Sequence, residues 1–211
     1  MTRLACHRAG PARGGPPGCL VLLLHGYGAD GADLIGLAEP RGRAVPGALF
    51  LAPDAPEPCD LAPWGRQWFP LSDMDPARLA EGVSRAVPAV QALAAEEAAR
   101  HGIAPGRVAL MGFSQGAMLA LAAGLSADPP PACILAYAGA LLAGLGAARP
   151  PVLLVHGEAD TVVPAAASRA AASALQAAGV PVQALFRPAL GHGIDEAGIA
   201  AGAAFLARHL R

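Results

Sequence analysis

Six short runs of apolar residues punctuate this chain, at 19–24, 48–52, 108–111, 133–137, 152–155 and 182–186. They lack the regular apolar/polar alternation of a strand with one wet face, so each reads as a strand covered on both sides, as in a parallel sheet. Between them lie helix candidates at 31–39, 77–101, 115–125, 165–178 and 195–209. Strand alternating with helix predicts a single α/β domain over 1–211, with a mostly parallel central sheet and helices on both faces. Pro88 falls inside the second helix candidate and predicts a kink or division there. Residues 1–18, broken by glycines and prolines, read as flexible or irregular.

Composition narrows the class. A length of 211 residues suits one well-buried domain and is short for two. The apolar fraction of 54% is high, but much of the excess is alanine; lysine and asparagine are absent and all 15 basic residues are arginine, a bias that points to a GC-rich coding genome. A formal net charge of -1 leaves no basic footprint for nucleic acid. Cys6, Cys19, Cys59 and Cys133 are scattered without a C-x-x-C pair, which predicts free thiols in a reducing, cytoplasmic setting and no metal site. Cys19 and Cys133 lie in strand candidates and read as small core residues. The uncharged stretch 132–148 approaches the length of a membrane span, but Gly139, Gly144 and Gly146 interrupt it, so it reads as strand plus loop, with no integral membrane segment expected. The segment 53–70 is proline-rich and holds both tryptophans. A functional excursion and a hydrophobic plug over the sheet are both open readings of it.

The candidate chemistry starts at Gly112-Phe113-Ser114-Gln115-Gly116, which follows one apolar run and opens a helix candidate. Strand, G-x-S-x-G turn and helix together make a serine into a nucleophile, with the oxygen held out at the strand end. The glycines are required because a Cβ two residues before or after the serine would meet the neighbouring strand or helix.

A serine hydroxyl needs a base, and the base an orienting acid. In hydrolases with this turn the acid and then the histidine follow the serine along the chain, each on a loop after a later strand. His7 and His25 precede Ser114, His101 and His209 end helices, and His156 ends a strand, which leaves His192 between the last strand and the last helix. Asp160 follows the penultimate strand and is the expected acid; Glu158 is its nearest rival, and Asp195 reads as a cap of the last helix. The loop His25-Gly26-Tyr27-Gly28 follows the first apolar run, where a backbone N–H can complement that of the residue after the nucleophile. The expected oxyanion donors are therefore the N–H groups of Tyr27 and Gln115, with His25 a buried residue supporting the loop. Gln115 counts here chiefly for its backbone.

The chain resembles the phospholipase/carboxylesterase family of α/β-hydrolases, which includes acyl-protein thioesterases and small bacterial carboxylesterases. The resemblance runs through LHGYGAD (24–30), APDAP (52–56), QWFP (67–70), GFSQG (112–116), HGEADTVVP (156–164) and GHGI (191–194). It implies an α/β-hydrolase fold and hydrolysis of carboxylic esters or thioesters without metal or cofactor. The family's triad falls on Ser114, Asp160 and His192, its oxyanion donors on Tyr27 and Gln115, and Trp68 is expected to help line the acyl pocket. Tyr27 stands where leucine is common in the thioesterase branch, a departure that leaves pocket shape, and with it chain-length preference, open. The expected partner is a small acyl ester or thioester, with a short to medium acyl chain. The oligomeric state is open, a homodimer being one option. Lysophospholipase or acyl-protein thioesterase activity is the alternative, followed by peptidase or lactonase activity and by a non-catalytic binding scaffold.

Overall fold

The computed structural model describes residues 4–210. In chain order they form β1 (Cys6–Ala9), β2 (Cys19–Leu24), α1 (Gly31–Ile35), α2 (Ala38–Gly42), β3 (Ala48–Pro53), β4 (Glu57–Pro58), β5 (Arg66–Gln67), α3 (Pro76–Arg100), β6 (Val108–Phe113), α4 (Gln115–Leu125), β7 (Cys133–Tyr137), β8 (Val152–Gly157), α5 (Ala165–Ala177), β9 (Val182–Arg187) and α6 (Glu196–His209). Seven strands make one sheet in the order β1-β3-β2-β6-β7-β8-β9. Neighbours are parallel throughout except for β1, which runs antiparallel to β3. The strands β4 and β5 form a separate short ladder.

Successive side chains of a strand point to opposite faces, and this divides each apolar run between two cores. Leu20, Leu22 and Leu24 of β2 join Leu110 of β6 and Leu154 of β8 beneath Val83 and Val90 of α3, Leu121 of α4 and Leu175 of α5. Val21 and Leu23 join Phe50, Met111, Leu135 and Val155 on the other face, against Leu34 of α1 and Phe205 and Leu206 of α6. Burial on both faces is why the runs of β2, β3, β6, β7 and β8 read as continuously apolar. Cys133 belongs to this interior, and burial pushes its thiol up to about 12, so it acts as a core residue. The same cover, expected for the run at 182–186, is not found: β9 is an edge strand of the sheet, and its residues are exposed or half-buried.

Two further expectations change. The division expected at Pro88 does not occur, and α3 runs unbroken from the Asp75 cap, whose carboxylate accepts from the N–H groups of Ala77 and Arg78. Pro88 removes the donor for the carbonyl of Ser84, but both residues are exposed, so the lost hydrogen bond falls on the solvent side of the helix. Val83, Ala86, Val90 and Leu93 keep the opposite side of the helix buried. Within 1–18, the irregular reading gives way at Cys6–Ala9, which pairs with Phe50–Pro53 as an edge strand. Arg8 ties that edge to α3 through the buried carboxylate of Glu97 at 2.9 Å.

In the segment 53–70, Trp68 and Phe69 are buried in the α3-side core while Trp64 stands exposed. The plug reading thus describes the second tryptophan and not the first. Among the described residues no helix is long and apolar enough to cross a membrane.

Candidate active site

Ser114 sits between β6 and α4 with φ 53° and ψ -117°, a left-handed backbone that a serine adopts only when its surroundings impose it. The surroundings are the two glycines. A Cβ on Gly112 would lie 2.1 Å from the Gly116 carbonyl oxygen, and one on Gly116 would lie 2.0 Å from that of Leu24. The first turn of α4 therefore closes directly onto the ends of β6 and β2. The N–H of Ser114 donates to the carbonyl of Tyr137 at 2.9 Å, which anchors the turn to β7.

His192 lies in the loop between β9 and α6, and its Nε2 is 3.0 Å from Ser114 Oγ. Its Nδ1 is 2.7 Å from Asp160 Oδ2, and its ring packs 4.9 Å from that of Phe113. Asp160, in the loop after β8, is buried, and its Oδ1 accepts from the N–H groups of Val162 and Val163 at 2.8 and 2.9 Å. Burial pushes this carboxyl up, but the His192 hydrogen bond and then the two amides outweigh it, leaving the pKa below the ordinary carboxylate value. The three residues form one hydrogen-bonded series, in which a carboxylate accepts from Nδ1–H and leaves Nε2 facing a hydroxyl. Such a series can take a proton from the serine as its oxygen attacks a carbonyl carbon.

The loop after β2 passes close to the serine: a Cβ on Gly26 would be 3.4 Å from that of Ser114. Tyr27 follows, and its N–H has no acceptor among the described residues. Gln115 is the first residue of α4, so its N–H has no intrahelical partner. His25 is fully buried; its Nδ1–H donates to the carbonyl of Gly26 at 2.7 Å, and its Nε2 accepts from Ala55 N–H at 3.0 Å. Burial lowers its pKa, more than the Gly26 hydrogen bond and nearby aspartates raise it. This neutral ring braces the loop, as expected.

The remaining candidates lie outside the series. Glu158 is exposed and pairs with Arg169. Asp195 caps α6 through Gly198 N–H at 2.8 Å and pairs with Arg187 at 2.8 Å. His156 is a neighbour whose role the sequence did not reveal. It is buried, with Nδ1 2.7 Å from Ser168 Oγ and Nε2 2.8 Å from the Val163 carbonyl and 3.2 Å from Asp160 Oδ2, so it braces the loop that holds the acid. Its spacing four residues before Asp160 was the available signal. Trp68 is only 3% exposed, and its indole N–H donates to the carbonyl of His25 at 2.9 Å. Among the described residues no group of three or more His, Cys, Asp or Glu is arranged to hold a metal ion.

The profile of the phospholipase/carboxylesterase family matches residues 12–210. The chain belongs to this family. It is accordingly an ester-hydrolysing enzyme with the α/β-hydrolase fold. The crystal structure of esterase PE8 is similar to it with a TM-score of 0.92 and 37% identity, covering 99% of this chain and 100% of that one. A probable carboxylesterase of Oryza sativa subsp. japonica is 31% identical over 208 residues, or 90% of this chain and 77% of its own length. Esterase YpfH of Escherichia coli (strain K12) is 30% identical over 179 residues, 83% of this chain and 76% of that protein.

Proposed function

We propose that this family member is a serine carboxylesterase that works through an acyl-enzyme on esters or thioesters with short to medium acyl chains. Ser114 Oγ attacks the substrate carbonyl carbon while His192 Nε2 takes its proton. Asp160 holds the Nδ1–H tautomer and stabilises the imidazolium. The N–H groups of Tyr27 and Gln115 receive the oxyanion, and the tetrahedral intermediate collapses as His192 protonates the departing alcohol or thiol. Water, activated by the same imidazole, then attacks the acyl-enzyme, and Ser114 Oγ leaves with the proton as the acid is released.

The observation that carries this reading is the series Ser114–His192–Asp160, joined at 3.0 and 2.7 Å. The strained backbone of Ser114 supports it, since such strain marks functional turns. Cys19, Cys59 and Cys133 are buried free thiols, in keeping with action in the reducing cytoplasm.

A fluorophosphonate probe tests the nucleophile. Wild-type protein should be labelled and Ser114→Ala should not; labelling that survives in Ser114→Ala would overturn the mechanism. His192→Ala and His156→Ala, assayed in parallel, test the base, because turnover lost in His156→Ala but kept in His192→Ala would contradict the assignment. A panel of nitrophenyl esters from acetyl to palmitoyl, with an acyl-thioester and a lysophospholipid alongside, tests the substrate range. Fastest turnover on the palmitoyl ester would refute the chain-length preference.

A further inference from the structure

Both proposed oxyanion donors are fastened to one short piece of chain, Trp68 and Phe69. The side chain of Gln115 is fully buried and both of its polar atoms are engaged there. Its Oε1 accepts from Trp68 N–H at 2.9 Å, and its Nε2 donates to the carbonyl of Phe69 at 2.6 Å. The indole N–H of Trp68 in turn donates to the carbonyl of His25, two residues before Tyr27. The His25 ring stands 5.2 Å from the indole and is itself pinned by Ala55 and Gly26.

We propose that the Gln115 side chain and Trp68 are positioning residues that fix the spacing between the Tyr27 and Gln115 N–H groups. The inference rests on the acyl-enzyme reading above and deepens it. The two donors come from different elements, the loop after β2 and the start of α4, yet they must converge on one oxygen at hydrogen-bonding distance. A primary amide suits the task because it offers one acceptor and one donor side by side, matching the N–H and C=O of adjacent backbone residues. An apolar residue at 115 would leave Trp68 N–H and the Phe69 carbonyl buried without partners. Trp68 acts here through the carbonyl of His25, with its indole nitrogen already committed. That differs from the pocket-lining role the family resemblance implies.

The test compares wild type with Gln115→Met and Trp68→Phe, which remove these hydrogen bonds while retaining the backbone N–H of residue 115 and much of the buried volume. Each is assayed for thermal unfolding, for kcat and KM on a nitrophenyl ester, and for inhibition by a trifluoromethyl ketone of the same acyl chain. The oxyanion of the ketone's serine adduct would lie between the two donors. In folded variants, kcat should fall about tenfold or more and ketone affinity by a similar factor, with KM within about threefold of wild type. A folded Gln115→Met protein that keeps its kcat and ketone affinity overturns the proposal. So does a Trp68→Phe protein whose KM rises while kcat is intact, as removal of a pocket wall would produce. If Gln115→Met fails to fold, Trp68→Phe decides by the same readings. A wild type untouched by both ketone and fluorophosphonate would overturn the acyl-enzyme reading and this proposal with it, whereas insensitive variants of an inhibited wild type overturn the positioning role alone.

Discussion

Asp160 offers His192 only one of its two oxygens: Oδ2 is 2.7 Å from Nδ1, while Oδ1 is occupied by the N–H groups of Val162 and Val163. Both ends of the carboxylate are acceptors, and an amide cannot reproduce that. In Asp160→Asn the two backbone donors would claim the amide oxygen and turn the NH2 group toward His192. Nδ1 would then have to accept, moving the ring proton to Nε2, where Ser114 needs a base. The expected outcome is a kcat lower by about 10⁴ in a protein that still folds. Steady-state kinetics with a melting curve checks this; a loss smaller than about tenfold would show that another group sets the tautomer.

Acid should destabilise the fold in two stages. Burial lowers the pKa of His25, and burial followed by Arg208 lowers that of His209. Asp160 is also lowered: burial opposes the shift, but the hydrogen bonds from His192, Val163 and Val162 prevail. In each case the folded pKa lies below the unfolded one, so the unfolded chain binds more protons as pH falls and folded stability drops. The histidine stage begins near the unfolded value of about 6.5 and the carboxylate stage near about 3.9. Thermal unfolding followed downward from about pH 7.5 should show the first decline by about pH 6. A Tm unchanged down to about pH 5 would contradict the buried neutral state of His25.

The apolar runs exposed β2, β3, β6, β7 and β8 because those strands are buried on both faces, where hydrophobicity alone marks a strand. β1 was hidden for the opposite reason. His7 and Arg8 face solvent, and its partner β3 lies far along the chain, so no local pattern records the pairing. The grouping of Ser114, Asp160 and His192 was legible because each follows a strand on a short, motif-bearing loop. The side-chain contacts of Gln115 and His156 were not. The amide's partners, Trp68 and Phe69, come from a distant segment. The imidazole's partners, Ser168 and the Val163 carbonyl, lie nearby in the chain but meet it only through the path of the loop after β8, which no residue pattern records.

Gly116 should tolerate no side chain. A Cβ there meets the backbone carbonyls of Leu24 at 2.0 Å and His25 at 2.6 Å, and no rotamer change can relieve a clash with main chain. Gly116→Ala is expected to lose at least about 1–3 kcal/mol of stability. Activity should fall further than stability, because the strained segment leads directly into Tyr27. Gly106→Ala is the control, with nothing within 4 Å of its added methyl. Its unfolding free energy should stay within about 0.5 kcal/mol of wild type. Equal effects in the two variants would refute the close approach.

Gly202 and Tyr137 should prove coupled. The Tyr137 hydroxyl donates to the carbonyl of Gly198 at 3.1 Å and accepts from Arg41 at 3.1 Å. A Cβ on Gly202 would stand 2.0 Å from that oxygen, and the buried ring has no room to swing aside. Gly202→Ala should therefore lose about 1–3 kcal/mol to overpacking, against a helix-propensity gain of about 1 kcal/mol. Tyr137→Phe alone should also destabilise, because it takes a partner from the fully buried Arg41 and from the Gly198 carbonyl. Once the hydroxyl is gone the nearest obstacles to the methyl are Leu135 Cδ2 at 3.3 Å and the ring carbon of residue 137 at 3.4 Å, which a small adjustment can absorb. The double variant should thus exceed the additive stability by about 1 kcal/mol or more in urea unfolding. Additivity within about 0.5 kcal/mol would show that the hydroxyl is not what keeps residue 202 a glycine.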